Sequence, residues 1–161
     1  MHVLLDARLL HRTLSGLERV QRNLLRELAE RPEVTRLRAL VQRGEPIEEV
    51  FPDGVELVPV ESAEDIAAVL LGLEDAPPDV FHMTYFPDRN PRDVLLPPLA
   101  PACVVSVTDA ILNRHPEYHA SPEAHAWYDR FVRTLVRSAD RVLSYTASAG
   151  REAVEDVGAD P

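Results

Sequence analysis

The sequence predicts an α/β fold: a doubly wound parallel sheet with helices on both faces. Three observations predict it. Short apolar runs alternate with segments of 3.6-residue periodicity along the chain. Residues 102–108 (ACVVSVT) form a continuous apolar run, as a strand buried on both faces requires. The helical segments carry their own start and stop signals, at Ser15 with Glu18, at Ser121-Pro122-Glu123 and at Gly158.

Taken in order, His2–Asp6 (HVLLD) reads as a buried strand, residues 7–14 as a loop, and Ser15 as the start of a helix. Ser15-Gly16-Leu17-Glu18 fits a capping box, the Ser15 hydroxyl accepting from the Glu18 amide and the Glu18 carboxylate reaching back. Leu17, Val20, Leu24, Leu25 and Leu28 share one face of this helix, with Arg19, Arg22, Arg26, Glu27 and Glu30 on the solvated side. Arg31-Pro32 ends it. Residues 35–42 form a second strand, 43–54 a polar loop, Val55–Val60 a third strand, and 62–73 a helix opened by Ser62. Residues 79–84 (DVFHMT) make a fourth strand, followed by a proline-rich loop over 85–101. The fifth strand covers 102–108 and a second long loop covers 109–120. A helix then runs from Pro122 to about Ser138 with Trp127, Tyr128, Phe131, Val132 and Leu135 inward. Residues 141–145 form a sixth strand, and 146–157 a last helix stopped by Gly158.

Composition narrows the function. The chain has 161 residues, one domain of ordinary size, and a net charge of −10, which disfavours nucleic acid and anionic membrane as partners. It contains no lysine, which removes P-loop nucleotide hydrolases, pyridoxal-phosphate enzymes, Schiff-base aldolases and phosphorelay receivers. There is no HExxH, GxSxG or GxGxxG segment, so zinc peptidase, α/β-hydrolase and dinucleotide oxidoreductase are unsupported and no metal is expected. The single cysteine, Cys103, cannot form an internal disulfide. No apolar run approaches the ~20 residues that span a bilayer. The sequence enters its first strand without a signal peptide, so the expectation is a cytoplasmic protein, free or peripheral to the inner face of the membrane.

In an open parallel sheet ligands bind beyond the carboxyl ends of the strands. That rule singles out the loops after Asp6, Thr84 and Thr108 and the start of the last helix. Gly16, lacking a Cβ, would let an anion approach the free N–H groups of the first helix, or is simply tolerated behind a Ser15 cap. Arg8, His11, Arg12 and Arg19 add local positive charge, partly offset by Asp6 and Glu18. Asp109 either orients a hydroxyl, acts as a base, or caps the loop that follows. His82 is a satisfied strand histidine or a catalytic one; Tyr85 and Phe86 stack on a ligand or anchor their loop. His115 and His119 lie four apart in a loop and are read as solvated rather than as metal ligands.

Together these segments resemble glycosyltransferase family 4. VLLDARLL with SGLERVQRNLLREL resembles that family's "IDAR" and glycine-x-x-Arg opening; DVFHMTYFP resembles its "DVVH" strand; VVSVTDA resembles "VVTIHDL". The stretch from His115 onward, HPEYHASPEAHAWYDRFVRTLVRSADRVLSYTASAGREAVEDVGADP, resembles "FPEYFSP…YYR…LRRADRVITVSEFSREDLI…LGV" and is the most specific part. The resemblance runs along essentially the whole chain. It implies one half of a GT-B fold, residues 1–161 being the Rossmann-like amino-terminal, acceptor-side domain, with the donor-binding domain outside this sequence. It implies sugar transfer from a nucleotide-sugar donor with retention of configuration and without a metal, and a fragment inactive by itself. It sets Ser15, Gly16, Glu18 and Arg19 beside the donor diphosphate, and Asp109 at the catalytic position. It sets His82, Tyr85, Phe86, His115 and Tyr118 on the side of a sugar, lipid-linked or small-molecule acceptor. The partners implied are that acceptor, the donor, the donor domain, and a second copy through the exposed cleft face. The family's "HD" is Thr108-Asp109 here, so its histidine is replaced. The alternative is a non-catalytic module binding a glycan, a nucleotide or a protein.

Overall fold

A computed structural model of the protein describes residues 1–8, 10, 16–44, 51–61, 77–84 and 100–160. Six strands form one parallel sheet: β1 (His2–Asp6), β2 (Arg36–Gln42), β3 (Val55–Val60), β4 (Val80–Met83), β5 (Ala102–Val107) and β6 (Arg141–Ser144). Their order is β3-β2-β1-β4-β5-β6. The chain winds outward from β1 in one direction through β3, then returns to β4 beside β1 and winds the other way. This is a Rossmann-like α/β fold, and its switch point lies between β1 and β4.

The alternation of side chains along each strand divides the core in two. On one face Val3, Leu5, Leu37, Ala39 and Val41 pack with Leu25 of helix α1 (Gly16–Ala29), with Leu24 and Leu28 beside it. On the other, Leu4, Leu40, Phe81, Met83, Val105 and Val107 meet Tyr128, Phe131, Val132 and Leu135. Those four belong to the long helix Pro122–Ser138, whose inward residues are the expected ones with Val136 added and Trp127 stacked on Phe131. Ser121 caps this helix by accepting from the Ala124 amide, and Pro122 occupies the position where no N–H is needed.

The segment between β5 and the long helix corrects an expectation. Residues 109–120, expected as loop, contain a helical turn α2 (Ile111–Arg114) and a tighter turn at Pro116–Tyr118. The long helix is therefore α3. Asp109 Oδ1 accepts from the Ile111 amide at 3.0 Å, and Pro116 sets φ for the second turn. The last helix, α4 (Ala147–Glu152), is capped by Thr146 and widens into a π turn at Ala153–Val157 before Gly158 closes it at φ 80°. Arg22, expected on the solvated side of α1, is half-buried, and Gln21 is fully buried. The helix expected over residues 62–73 and most of the proline-rich loop lie outside the described residues.

At the amino edge of the sheet one device recurs. Asp79, just before β4, accepts from the His2 amide of β1 at 2.6 Å, and Asp140, just before β6, accepts from the Cys103 amide of β5 at 2.7 Å. Each carboxylate satisfies a strand-opening N–H that a parallel ladder leaves unpaired. Among the described residues, no helix is long and apolar enough to cross a membrane.

Candidate functional site at the carboxyl edge

The carboxyl ends of β1, β4 and β5 carry a connected set of polar groups at the switch point. Asp6 closes β1 and is wholly buried; Arg8 folds back on it, Nε to Oδ1 at 2.9 Å and Nη2 to Oδ2 at 2.8 Å. This bidentate pair gives the buried carboxylate its hydrogen-bond donors and its counter-charge. Thr84, directly after β4, donates its hydroxyl to the Asp6 carbonyl at 2.9 Å. The Gln21 side-chain amide donates to Thr84 Oγ1 and, at 3.4 Å, to the same carbonyl. One side chain thus ties α1 to the ends of both switch-point strands.

A second group lies on the α1 side of β4 and β5. His82 Nε2 and Ser106 Oγ are 2.8 Å apart in a hydrogen bond. His82 is 6% exposed, and burial pushes its imidazole down to about 4, so it is neutral at physiological pH. Tyr145, just past β6, bonds Ser106 and reaches over the end of β5 to donate to the Thr84 carbonyl at 3.4 Å. Burial pushes this phenol up, with the Ser106 bond opposing. The two groups meet at Thr84.

The expected donor-phosphate residues divide. Gly16 opens α1 and is exposed; a Cβ there would meet no atom within 4 Å, and its backbone does not need a glycine. Arg19 is exposed, whereas Glu18 is buried. Ser15, together with His11 and Arg12, lies outside the described residues.

The expected acceptor residues do not form one cluster. His82 sits inside the network above. His115 and Tyr118 are stacked with ring centroids 5.1 Å apart, and His115 Nδ1 meets Glu117 Oε1 at 2.8 Å on the surface. Among the described residues no hydrogen bond or ring contact joins this pair to His82. Tyr85 and Phe86 lie outside the described residues. Asp109 is exposed at the end of β5, where its carboxylate holds the Ile111 amide. The next residue, Ala110, donates its amide to Glu152 of α4 at 3.1 Å, and Glu152 also faces Arg114. His119 and His125 each engage a backbone carbonyl, of Leu112 and of Asn113. No group of metal-ligating side chains gathers among the described residues.

Four members of the edge escaped the sequence reading: the Asp6–Arg8 pairing, Gln21, Ser106 and Tyr145. Gln21 and Ser106 did leave a signal, as polar residues in otherwise inward-facing positions. Chemically, the described edge offers hydroxyls, a neutral imidazole and backbone amides, with one exposed carboxylate at Asp109. No family model and no curated protein matches this chain.

Proposed function

We propose that this chain is the acceptor-side domain of a retaining glycosyltransferase that moves a sugar from a nucleotide-sugar donor to an acceptor hydroxyl. The observation that carries the reading is Gly16 at the start of α1: it is exposed, a Cβ there would meet no atom within 4 Å among the described residues, and its φ is not positive. A glycine there leaves room for a ligand to approach the backbone. Free N–H groups and the helix dipole favour a diphosphate in that place. The family resemblance supplies the reaction class, and the strand order supports it at the level of fold.

In this reading the donor diphosphate departs against the start of α1, where preorganised amides stabilise the charge that develops on it. The neutral groups around Thr84 and Ser106 hold the acceptor, and Asp109 faces its hydroxyl. The donor domain completes the site from outside this sequence, and no metal takes part. The internally satisfied network favours one other reading, a non-catalytic binding module: His82 is neutral and Asp109 already serves the Ile111 amide.

Backbone amide NMR of the chain, titrated with UDP, GDP and their sugar conjugates, tests the proposal. The Gly16 amide is expected to shift at millimolar nucleotide, and Gly16→Val is expected to abolish the shift without lowering the melting temperature. A silent Gly16 amide would remove the ground of the reading. Tight nucleotide binding indifferent to both the sugar and Gly16→Val would favour the binding module.

A further inference from the structure

We propose that Gln21 is a positioning residue for the phosphate site: it sets the first turns of α1 over the switch point and so sets how tightly a nucleotide diphosphate is held there. This rests on the transferase reading and adds to it a residue that itself touches no ligand.

The grip of α1 on the sheet is uneven. Among the described residues, the side chains that join α1 to its apolar core are Leu24, Leu25, Leu28 and Ala29, all in the second half of the helix. In the first half, the described hydrogen bonds from α1 to the strand ends are those of Gln21. Its amide donates to Thr84 Oγ1, just after β4, and to the carbonyl of Asp6, which closes β1. Those two strands flank the point where the sheet reverses its winding. Gln21 lies five residues after Gly16, about 7.5 Å along the helix axis, and a helical side chain leans toward the amino end. The amide therefore acts on the opening turns of α1 and fixes their height over the strand ends.

Stability alone does not account for a glutamine in this place. Gln21 is 0% exposed, and its Oε1 finds no donor among the described residues. A buried carbonyl oxygen without a donor costs stability, and a leucine of similar size carries no such cost. Nor does Thr84 need the glutamine, because its hydroxyl already donates to the Asp6 carbonyl at 2.9 Å. What glutamine supplies and leucine does not is direction. Apolar contact is non-directional and tolerates a helix sliding over the sheet by a fraction of an ångström, whereas a hydrogen bond to a strand end weakens with such a shift. Backbone amides aimed at a diphosphate are sensitive to a displacement of that size.

The test is a UDP titration of wild type and Gln21→Leu, with affinity read from the Gly16 amide shift in NMR and stability from the melting temperature. Gln21→Leu is expected to weaken UDP binding about fivefold, the scale of one hydrogen bond, while melting no lower than wild type. A merely structural glutamine does the reverse: its loss lowers the melting temperature and leaves the affinity alone, and that result would overturn the proposal. Thr84→Val removes the hydroxyl that Gln21 holds and is expected to weaken UDP binding by a similar factor. The double variant is expected to bind no more weakly than either single one, because both act through one bond. Full additivity in the double variant would overturn the proposal as well. If Gln21→Leu does not fold, Thr84→Val decides, and wild-type affinity there counts against the positioning role. The two proposals fail separately. A Gly16 amide silent toward UDP in wild type sinks the transferase and, with it, the site that Gln21 positions. A Gly16 amide that reports equal affinity in wild type and Gln21→Leu keeps the transferase and sinks only the positioning role.

Discussion

Mild acid is expected to destabilise this protein through His82. Burial against β4 and β5 holds its folded pKa at about 4, against 6.5 for the free side chain. Below about pH 6.5 the unfolded chain therefore binds a proton that the native state refuses, and stability falls as pH drops toward the folded value. Above the unfolded pKa the contribution is fully present. At about pH 5 the linkage relation gives a loss of ~2 kcal/mol relative to neutral pH, a sizeable share of the ~5–15 kcal/mol that holds a domain together. His2, also pushed down by burial, adds to the same drop. The carboxylates held low, Glu56, Glu117, Glu123 and Asp129, lose their contributions mainly at lower pH. Comparison with His82→Gln isolates the histidine, because the glutamine amide does not titrate and can still bond Ser106. Urea unfolding at neutral pH and at about pH 5 should show wild type losing ~2 kcal/mol more than the variant. Equal losses in both proteins would refute the argument that His82 is buried and neutral.

Two further perturbations probe the frame around the site. Arg8→Met leaves the Asp6 carboxylate buried without its bidentate partner and should cost about 3–5 kcal/mol, read as a lowered urea midpoint; a change below about 1 kcal/mol would mean that water reaches Asp6. Ser121→Ala removes the oxygen that accepts the Ala124 amide at 3.2 Å, and should cost about 1 kcal/mol, or a fall of ~2–4 °C in melting temperature by calorimetry.

Local signals were read well from the sequence because local physics makes them. Ser121-Pro122-Glu123 opens α3 and Gly158, at φ 80°, closes the turn after α4, and each acts on backbone within a few residues of itself. The apolar runs became β1 through β6 with bounds shifted by a residue or two at most. Where the reading missed, the deciding interaction was one that no periodicity encodes. Residues 109–120 looked like loop because Pro116 and scattered polar residues interrupt every pattern, yet Asp109 and Ala110 start a short helix there. Gln21, a polar residue on the inward face of α1, is buried because Thr84 and the Asp6 carbonyl, far away in sequence, supply the partners that its amide needs.

The sequence by itself determined the class of fold, the strands and helices α1, α3 and α4 with most of their ends, and the edge of the sheet where a site belongs. These follow from burial patterns, caps and the rule that crossovers bring parallel strands to a common carboxyl end. Only the tertiary structure decided the composition of that edge. Gln21 meets Thr84 across 63 residues, and Tyr145 meets Thr84 across 61, because β4 lies next to β1 and two strands from β6. The same packing made His82 neutral and left Tyr145 partly exposed with its hydroxyl on the Thr84 carbonyl. A residue's charge state and exposure depend on which distant segments cover it, and strand order settles that only once the whole chain has packed.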